Sequence, residues 1–152
     1  MKKKNALRVL IADDHLVVRE GLAALINRSP DMTVIAEASN GREAVEQFLL
    51  HRPDVALLDL RMPEMDGVDV IAAIRKQVPT ARLIVLTTYN DEEDIHRSLR
   101  AGAKGYLLKD APRDELLGCV RAVHDGQTVI PPAIALKLAS HLTVTELTPR
   151  EL

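Results

Sequence analysis

The chain has 152 residues, roughly the span of one domain. A hydrophobic fraction of 47% with 28% charged residues supports a buried core and excludes disordered, collagen-like and low-complexity chains. Two tyrosines, one phenylalanine and no tryptophan argue against a base-stacking platform, and a net charge of -2 argues against tight binding of this chain to a phosphate backbone.

Lys2, Lys3 and Lys4 open the chain, but the run behind them is broken by Arg8 and ends at Asp13, too short for a secretory signal. No stretch approaches a membrane span, so a cytoplasmic protein without membrane contact is expected. The first strand is expected at Val9–Ala12, followed by a helix whose Leu22, Leu25 and Ile26 share a face. Val34–Ala36 forms the second strand, and Asn40 with Glu43 marks the start of a helix carrying Ala44, Val45, Phe48 and Leu49. The third strand is Val55–Leu58, with Ile71 and Ile74 on the helix after it. Leu83–Leu86 is the fourth, with Asn90 and Glu93 as the next helix start and Ile95 and Leu99 on its inner face. Tyr106–Leu108 is the fifth; Pro112 suits the first turn of the following helix, where Leu116 and Val120 recur and Cys119 reads as a buried structural thiol. The strands are nearly continuous apolar runs, as in parallel sheets covered on both faces. Five β-α units give an α/β fold with right-handed crossovers, without specifying the strand order.

Past Asp125-Gly126 the rhythm stops. Ile134, Leu138 and Leu142 recur every four residues after Pro131-Pro132 and suggest one more helix, and Thr143 to Leu152 reads as a linker.

Ligands of an open parallel sheet bind beyond the carboxyl ends of its strands. Asp13 and Asp14 follow the first strand, Asp59 the third, Thr87 and Thr88 the fourth and Lys109 the fifth. Three carboxylates at one rim cannot all stay ionised without a cation, and an all-oxygen set suits Mg²⁺, which usually accompanies phosphate. A carboxylate there can attack phosphorus to form an acyl phosphate, with Lys109 contacting a phosphoryl oxygen and Thr87 donating its hydroxyl. His15 follows the acid pair within reach of the site, with a helix-start role the favoured reading, and His51, His96, His124 and His141 are too scattered for a metal set.

These pieces, taken in order, resemble the receiver domain of two-component response regulators: Ile11-Ala12-Asp13-Asp14-His15, Leu57-Leu58-Asp59-Leu60-Arg61-Met62-Pro63 with Asp66-Gly67, Leu86-Thr87, and Gly105-Tyr106-Leu107-Leu108-Lys109. The resemblance covers roughly residues 7 to 125. It implies a flavodoxin-like doubly wound sheet of order 2-1-3-4-5, with Asp59 as phosphoacceptor. Asp13, Asp14, Asp59 and the backbone carbonyl of Arg61 would hold Mg²⁺, Thr87 and Tyr106 would form a switch pair, with Tyr106 rotating inward on phosphorylation, and Lys109 would be the catalytic cation. The implied partners are a sensor histidine kinase and, on phosphorylation, a second copy of the chain; the protein is a signalling switch rather than an enzyme.

The ending, Glu146-Leu147-Thr148-Pro149-Arg150-Glu151-Leu152, resembles the opening of a LuxR/NarL-type helix-turn-helix output domain. Residues 1–126 are accordingly expected to form the receiver, and 127–152 a linker helix with the first residues of a DNA-binding domain that this chain lacks. Two departures from the family pattern stand out. Pro112 lies three residues past Lys109, so the Lys109–Asp110 peptide is either trans or cis at a strain of about 3 kcal/mol. Thr88 occupies a place where small residues are common, and Arg61 and Tyr89 are large enough to screen an acyl phosphate from water.

Three other readings fit less well. A flavin binder of this fold needs a phosphate-cradling loop after the first strand, where this chain has two acids and no glycine. An aspartyl-phosphate phosphatase needs a second Asp two residues after the nucleophile, where this chain has Arg61. A pseudo-receiver that works without phosphorylation usually lacks some rim residues, and this chain has them all.

Overall fold

A computed structural model describes residues 5–87, 92–132, 134–136 and 139. Strands and helices alternate: β1 Leu7–Ala12, α1 Leu16–Asn27, β2 Met32–Ala38, α2 Gly41–His51, β3 Val55–Asp59, α3 Gly67–Gln77, β4 Leu83–Thr87, α4 Glu92–Ala101, β5 Gly105–Leu108 and α5 Arg113–His124. The five strands form one parallel sheet of order β2-β1-β3-β4-β5, the flavodoxin-like arrangement.

Alternation along each strand divides the core in two. Leu10, Leu58, Val85 and Tyr106 pack on one face with Phe48, Ile71, Ile74 and Ile95, beneath α2, α3 and α4. Val9, Ile11, Leu57, Ile84, Leu86 and Leu107 face the other way, against Ile26 of α1 and Leu116, Val120 and Val123 of α5. The central strands β1, β3 and β4 are covered on both faces, as their unbroken apolar runs require. β2 departs from that expectation: it is an edge strand and its middle residues are only half-buried.

The helix starts carry local chemistry. Asn40 Oδ1 accepts the Glu43 amide at 2.8 Å, while the Glu43 carboxylate turns back one residue further than a reciprocal cap and takes the Ser39 amide at 2.9 Å. Pro112 stands one residue before α5, at the N-cap rather than in the first turn. Asn90, Leu138, Leu142 and the Thr143–Leu152 segment lie outside the described residues, as do Thr88 and Tyr89. Cys119 is buried, and burial, with Glu115 nearby, pushes its thiol up to about 12. The Lys109–Asp110 peptide is trans. No helix among the described residues is long and apolar enough to cross a membrane.

Beyond α5 the chain returns to the sheet. Val129 pairs in parallel with Gly105; it donates to the Lys104 carbonyl at 3.0 Å and accepts from the Tyr106 amide at 2.9 Å. Helical backbone follows at 132, 134–136 and 139, and Ile134 is buried in the cluster that holds Ile95 and Tyr106. Packing of the domain thus continues past Gly126, with Val129 occupying the open edge of β5.

Candidate functional site

The strand register brings the chemical groups together. Ala12 pairs with Leu58 and Asp59 with Leu86, so the residues that end β1, β3 and β4 reach one level of the sheet. The loop after β3 is folded tightly under that rim. The Gly67 amide donates to the Leu60 carbonyl at 2.8 Å, and a Cβ on Gly67 would lie 2.7 Å from Leu60 Cα and 2.8 Å from the Asp59 carbonyl oxygen. Only glycine fits that close approach.

Asp13 and Asp59 are both buried at this rim, and Lys109 enters between them from the end of β5. Lys109 Nζ donates to Asp59 Oδ2 at 3.0 Å and lies 3.6 Å from Asp13 Oδ2. Its backbone is fixed by a 3.0 Å bond from the Lys109 amide to the Thr87 carbonyl. Asp59 Oδ1 accepts the Arg61 amide at 3.2 Å. Asp14 is exposed at the mouth. Thr87 is buried at the end of β4.

One lysine serves two buried acids, and the proton affinities follow from that. Burial raises the Asp59 carboxyl above its ordinary value, and the nearby Asp13 charge adds to the rise, while the Lys109 hydrogen bond opposes it. Burial would lower Lys109, but its hydrogen bond to Asp59 and the two carboxylate charges hold it above the ordinary lysine value. Asp13 Oδ2 is enclosed without a hydrogen bond, and the Lys109 ammonium 3.6 Å away is a cation it shares with Asp59. One lysine charge beside two buried carboxylates leaves negative charge that a further cation would offset.

These residues fit a hard divalent ion. Ligand atoms of Asp13, Asp14, His15 and Asp59 all lie within 4.8 Å of one another, three of the four are carboxylates, and one carboxylate oxygen is without a hydrogen bond. Both buried acids meet the Lys109 ammonium, Asp59 through the hydrogen bond at 3.0 Å and Asp13 at 3.6 Å.

Two features depart from expectation. The resemblance has Tyr106 turning inward on phosphorylation, yet its ring is already buried. Its hydroxyl donates to the Ile95 carbonyl at 2.8 Å and lies 2.7 Å from Ser98 Oγ. Those two partners satisfy the phenol inside the core, so the inward position costs no lost hydrogen bond; burial raises the phenol's pKa, against the opposing effect of the Ser98 hydrogen bond. Second, His15 stands at the N-cap of α1, but its side chain caps nothing. Its Nδ1 instead lies 3.0 Å from Asp13 Oδ1 and 3.2 Å from Asp14 Oδ1, so the imidazole belongs to the acid cluster rather than to the helix start.

Sequence reasoning also missed the Ser98 partnership and the 3.4 Å pair of Arg61 Nη2 with Asp94 Oδ2, which ties the β3 loop to α4. A signal existed for Ser98, a small polar residue between Ile95 and Leu99 on the inner face of α4. None existed for Arg61.

Comparison with known proteins agrees with this geometry. A family model described as the response regulator receiver domain matches residues 9–121. The chain is 40% identical over 135 residues to the oxygen regulatory protein NreC of Staphylococcus haemolyticus, a match covering 88% of this chain and 62% of that protein. It is 37% identical over 160 residues to the nitrate/nitrite response regulator protein NarL of Escherichia coli K12, covering 99% and 74% respectively. Among solved structures, a LuxR-family two-component response regulator from Aurantimonas sp. SI85-9A1 superposes with a TM-score of 0.84 at 31% identity, covering 91% of this chain and 99% of that one. The chain thus spans less than two thirds of the NreC length.

Proposed function

Because the chain belongs to the response regulator receiver family, we propose that it is the phosphorylation-controlled input of a transcription regulator, with Asp59 as the phosphoacceptor. An Asp59 carboxylate oxygen attacks the phosphorus of a phosphohistidine on a sensor histidine kinase. The new O–P bond forms as the P–N bond breaks, and the departing imidazole keeps the electron pair and takes up a proton. Asp13, Asp14, Asp59 and the Arg61 carbonyl are the groups assigned to hold Mg²⁺. When bound, that ion supplies charge neutralisation for the entering phosphoryl oxygens. The observation that carries this reading is the pair of buried carboxylates, Asp59 and Asp13, sharing the single Lys109 ammonium at 3.0 and 3.6 Å.

Lys109 exchanges part of its bond to Asp59 for a contact to a phosphoryl oxygen, and Thr87 donates its hydroxyl to another. Charged hydrogen bonds of this kind contribute about 1.5–3 kcal/mol each. Reversing a 1:99 equilibrium takes about 5.5 kcal/mol, so two contacts complete the switch only at the upper end of that range. With Tyr106 already inward, these contacts lock an existing arrangement of α4 and β5 rather than create it. Locking this surface is proposed to favour a homodimer and, through a C-terminal helix-turn-helix domain of the whole regulator, binding to DNA. Residues 1–126 are proposed as the receiver, with Val129 and Ile134 packing onto it, and 127–152 as the segment that leads on to that domain.

Acetyl phosphate provides the test. With Mg²⁺, intact-mass spectrometry of the native chain is expected to show one added phosphoryl group, and sedimentation of the same sample a shift from monomer to dimer. Asp59→Asn is expected to show neither. Labelling that survives in Asp59→Asn contradicts the acceptor assignment, and labelled protein that stays monomeric at high concentration contradicts the dimer.

A further inference from the structure

We propose that a basic cleft at the amino ends of β4 and β5 binds a small, multiply charged phosphate such as pyrophosphate. The cleft has a volume of about 210 Å³ and lies between the α3–β4 turn, the residue before β5 and the end of α5. Arg75, Thr80, Arg82 and Lys104 supply its polar side chains, and among the described residues no acid lines it. Arg82 stands directly before β4 and Lys104 directly before β5, whereas Thr87 and Lys109 mark the other ends of the same strands. The cleft is therefore roughly 16 Å along the sheet from the acidic rim.

The sequence gathers cations here. From Val70 to Asn90 the chain has Arg75, Lys76 and Arg82 and no acid, and from Ile95 to Lys104 it has Arg97, Arg100 and Lys104 and again none. Yet the whole chain carries a net charge of -2. Elsewhere its guanidinium groups are matched: Arg19, Arg42, Arg61 and Arg121 each lie within 3.4 Å of a carboxylate oxygen. Among the described residues, Arg75, Arg82 and Lys104 have no carboxylate partner. Like charges gathered in one cleft repel, and an anion between them relieves that repulsion.

Arg75 is already set in place. Its Nη1 donates to the Ala81 carbonyl at 3.1 Å, and its stem crosses Gly102, where a Cβ would stand 2.3 Å from Nε and 2.4 Å from Cδ. Gly102 has a φ of 115°, so glycine serves there both for its backbone and for the room it leaves. A guanidinium held by one N–H keeps further donors, and its planar fork matches phosphate oxygens. Arg82 brings a second fork, Lys104 a compact charge and Thr80 a hydroxyl. Three cations call for an anion of two or more charges. The volume falls below the roughly 300–1,000 Å³ of pockets that take larger organic ligands, so the occupant is a compact anion rather than a nucleotide.

Calorimetry with pyrophosphate tests the site, in chelator so that no divalent ion reaches the acidic rim. The native chain is expected to bind one pyrophosphate, with amide NMR shifts at Arg82, Lys104 and Gly126. Arg82→Ala and Lys104→Ala, whose folding the same spectra check, are each expected to lose about tenfold in affinity. Arg113→Ala, which removes an equal charge from the exposed start of α5, is expected to lose none. Asp59→Asn is expected to bind as the native chain does. Equal losses in Arg113→Ala reveal unspecific attraction and overturn the assignment, as does a native chain that takes up no pyrophosphate at millimolar concentration. Binding that changes in Asp59→Asn places the anion at the rim and overturns it while leaving the phosphoacceptor reading standing. Duplex DNA that shifts the same amides and resists displacement by pyrophosphate overturns it in favour of a nucleic-acid contact.

Discussion

At the carboxyl ends of β1 and β3, two buried carboxylates share one lysine. At the opposite end of the sheet, just before β2, Asp31 has a guanidinium and a hydroxyl of its own. Arg121 Nε and Nη2 hold its two oxygens at 2.8 and 3.0 Å, and Ser29 Oγ donates to the same carboxylate. The Arg121 bond, with the Ser29 bond second, pulls Asp31 well below the usual carboxylate range, whereas burial raises Asp59. Both clusters are built from acids and bases at element ends. The difference lies in the count and in water: a matched, exposed pair contributes modestly to folding, while two buried acids sharing one lysine cost folding energy.

The largest effect is expected where the single cation is removed. Lys109→Ala leaves Asp13 and Asp59 buried with no counter-charge, and urea unfolding in chelator should show a loss of about 3 kcal/mol. A loss no larger than a surface substitution gives would mean that the rim is less buried than described. Next comes Asp13→Asn, which relieves the charge excess. Without metal it should be more stable than the native chain by about 1 kcal/mol. The native chain should instead gain about 2.7 kcal/mol from Mg²⁺ at a hundredfold its dissociation constant, and the variant almost nothing.

Smaller still is the response to pH, which has opposite signs at the two ends. Asp59 is raised on folding, so its contribution to stability grows as pH falls from neutral toward about 4, the unfolded carboxylate value. Metal-free native protein should therefore gain on Asp59→Asn over that interval, in unfolding curves taken at successive pH values. Asp31 is lowered, so its contribution is present above about pH 4 and is lost on further acidification. Arg121→Ala should cost no more than about 1 kcal/mol at neutral pH, because the pair is exposed, and the cost should shrink below pH 4.

Much of this contrast is legible in the residues alone, and the reasons are physical. Buried parallel strands must be apolar to their ends, so Asp13, Asp59 and Lys109 mark the rim simply by following such runs. Asp31 and Arg121 carry no such marker. They lie ninety residues apart on an exposed surface, and only the folded chain brings them together. Strand order, likewise, came from family resemblance and not from periodicity. His15 stands at the helix start, as its position before α1 predicts, while its ring turns toward the two acids instead of capping the helix. The pairing of Val129 with Gly105 was invisible for another reason: a single bridge has no period to read.

The central claim is that the charge excess at the rim exists to hold a metal and a phosphoryl group on Asp59. Fluorine NMR of the chain with beryllofluoride, a phosphoryl mimic that binds the acceptor carboxylate, tests it most directly. Protein-bound fluorine resonances should appear in the native chain only when Mg²⁺ is present, and Asp59→Asn should show none. Bound resonances in Asp59→Asn, or their absence from the native chain at saturating Mg²⁺, would contradict the account.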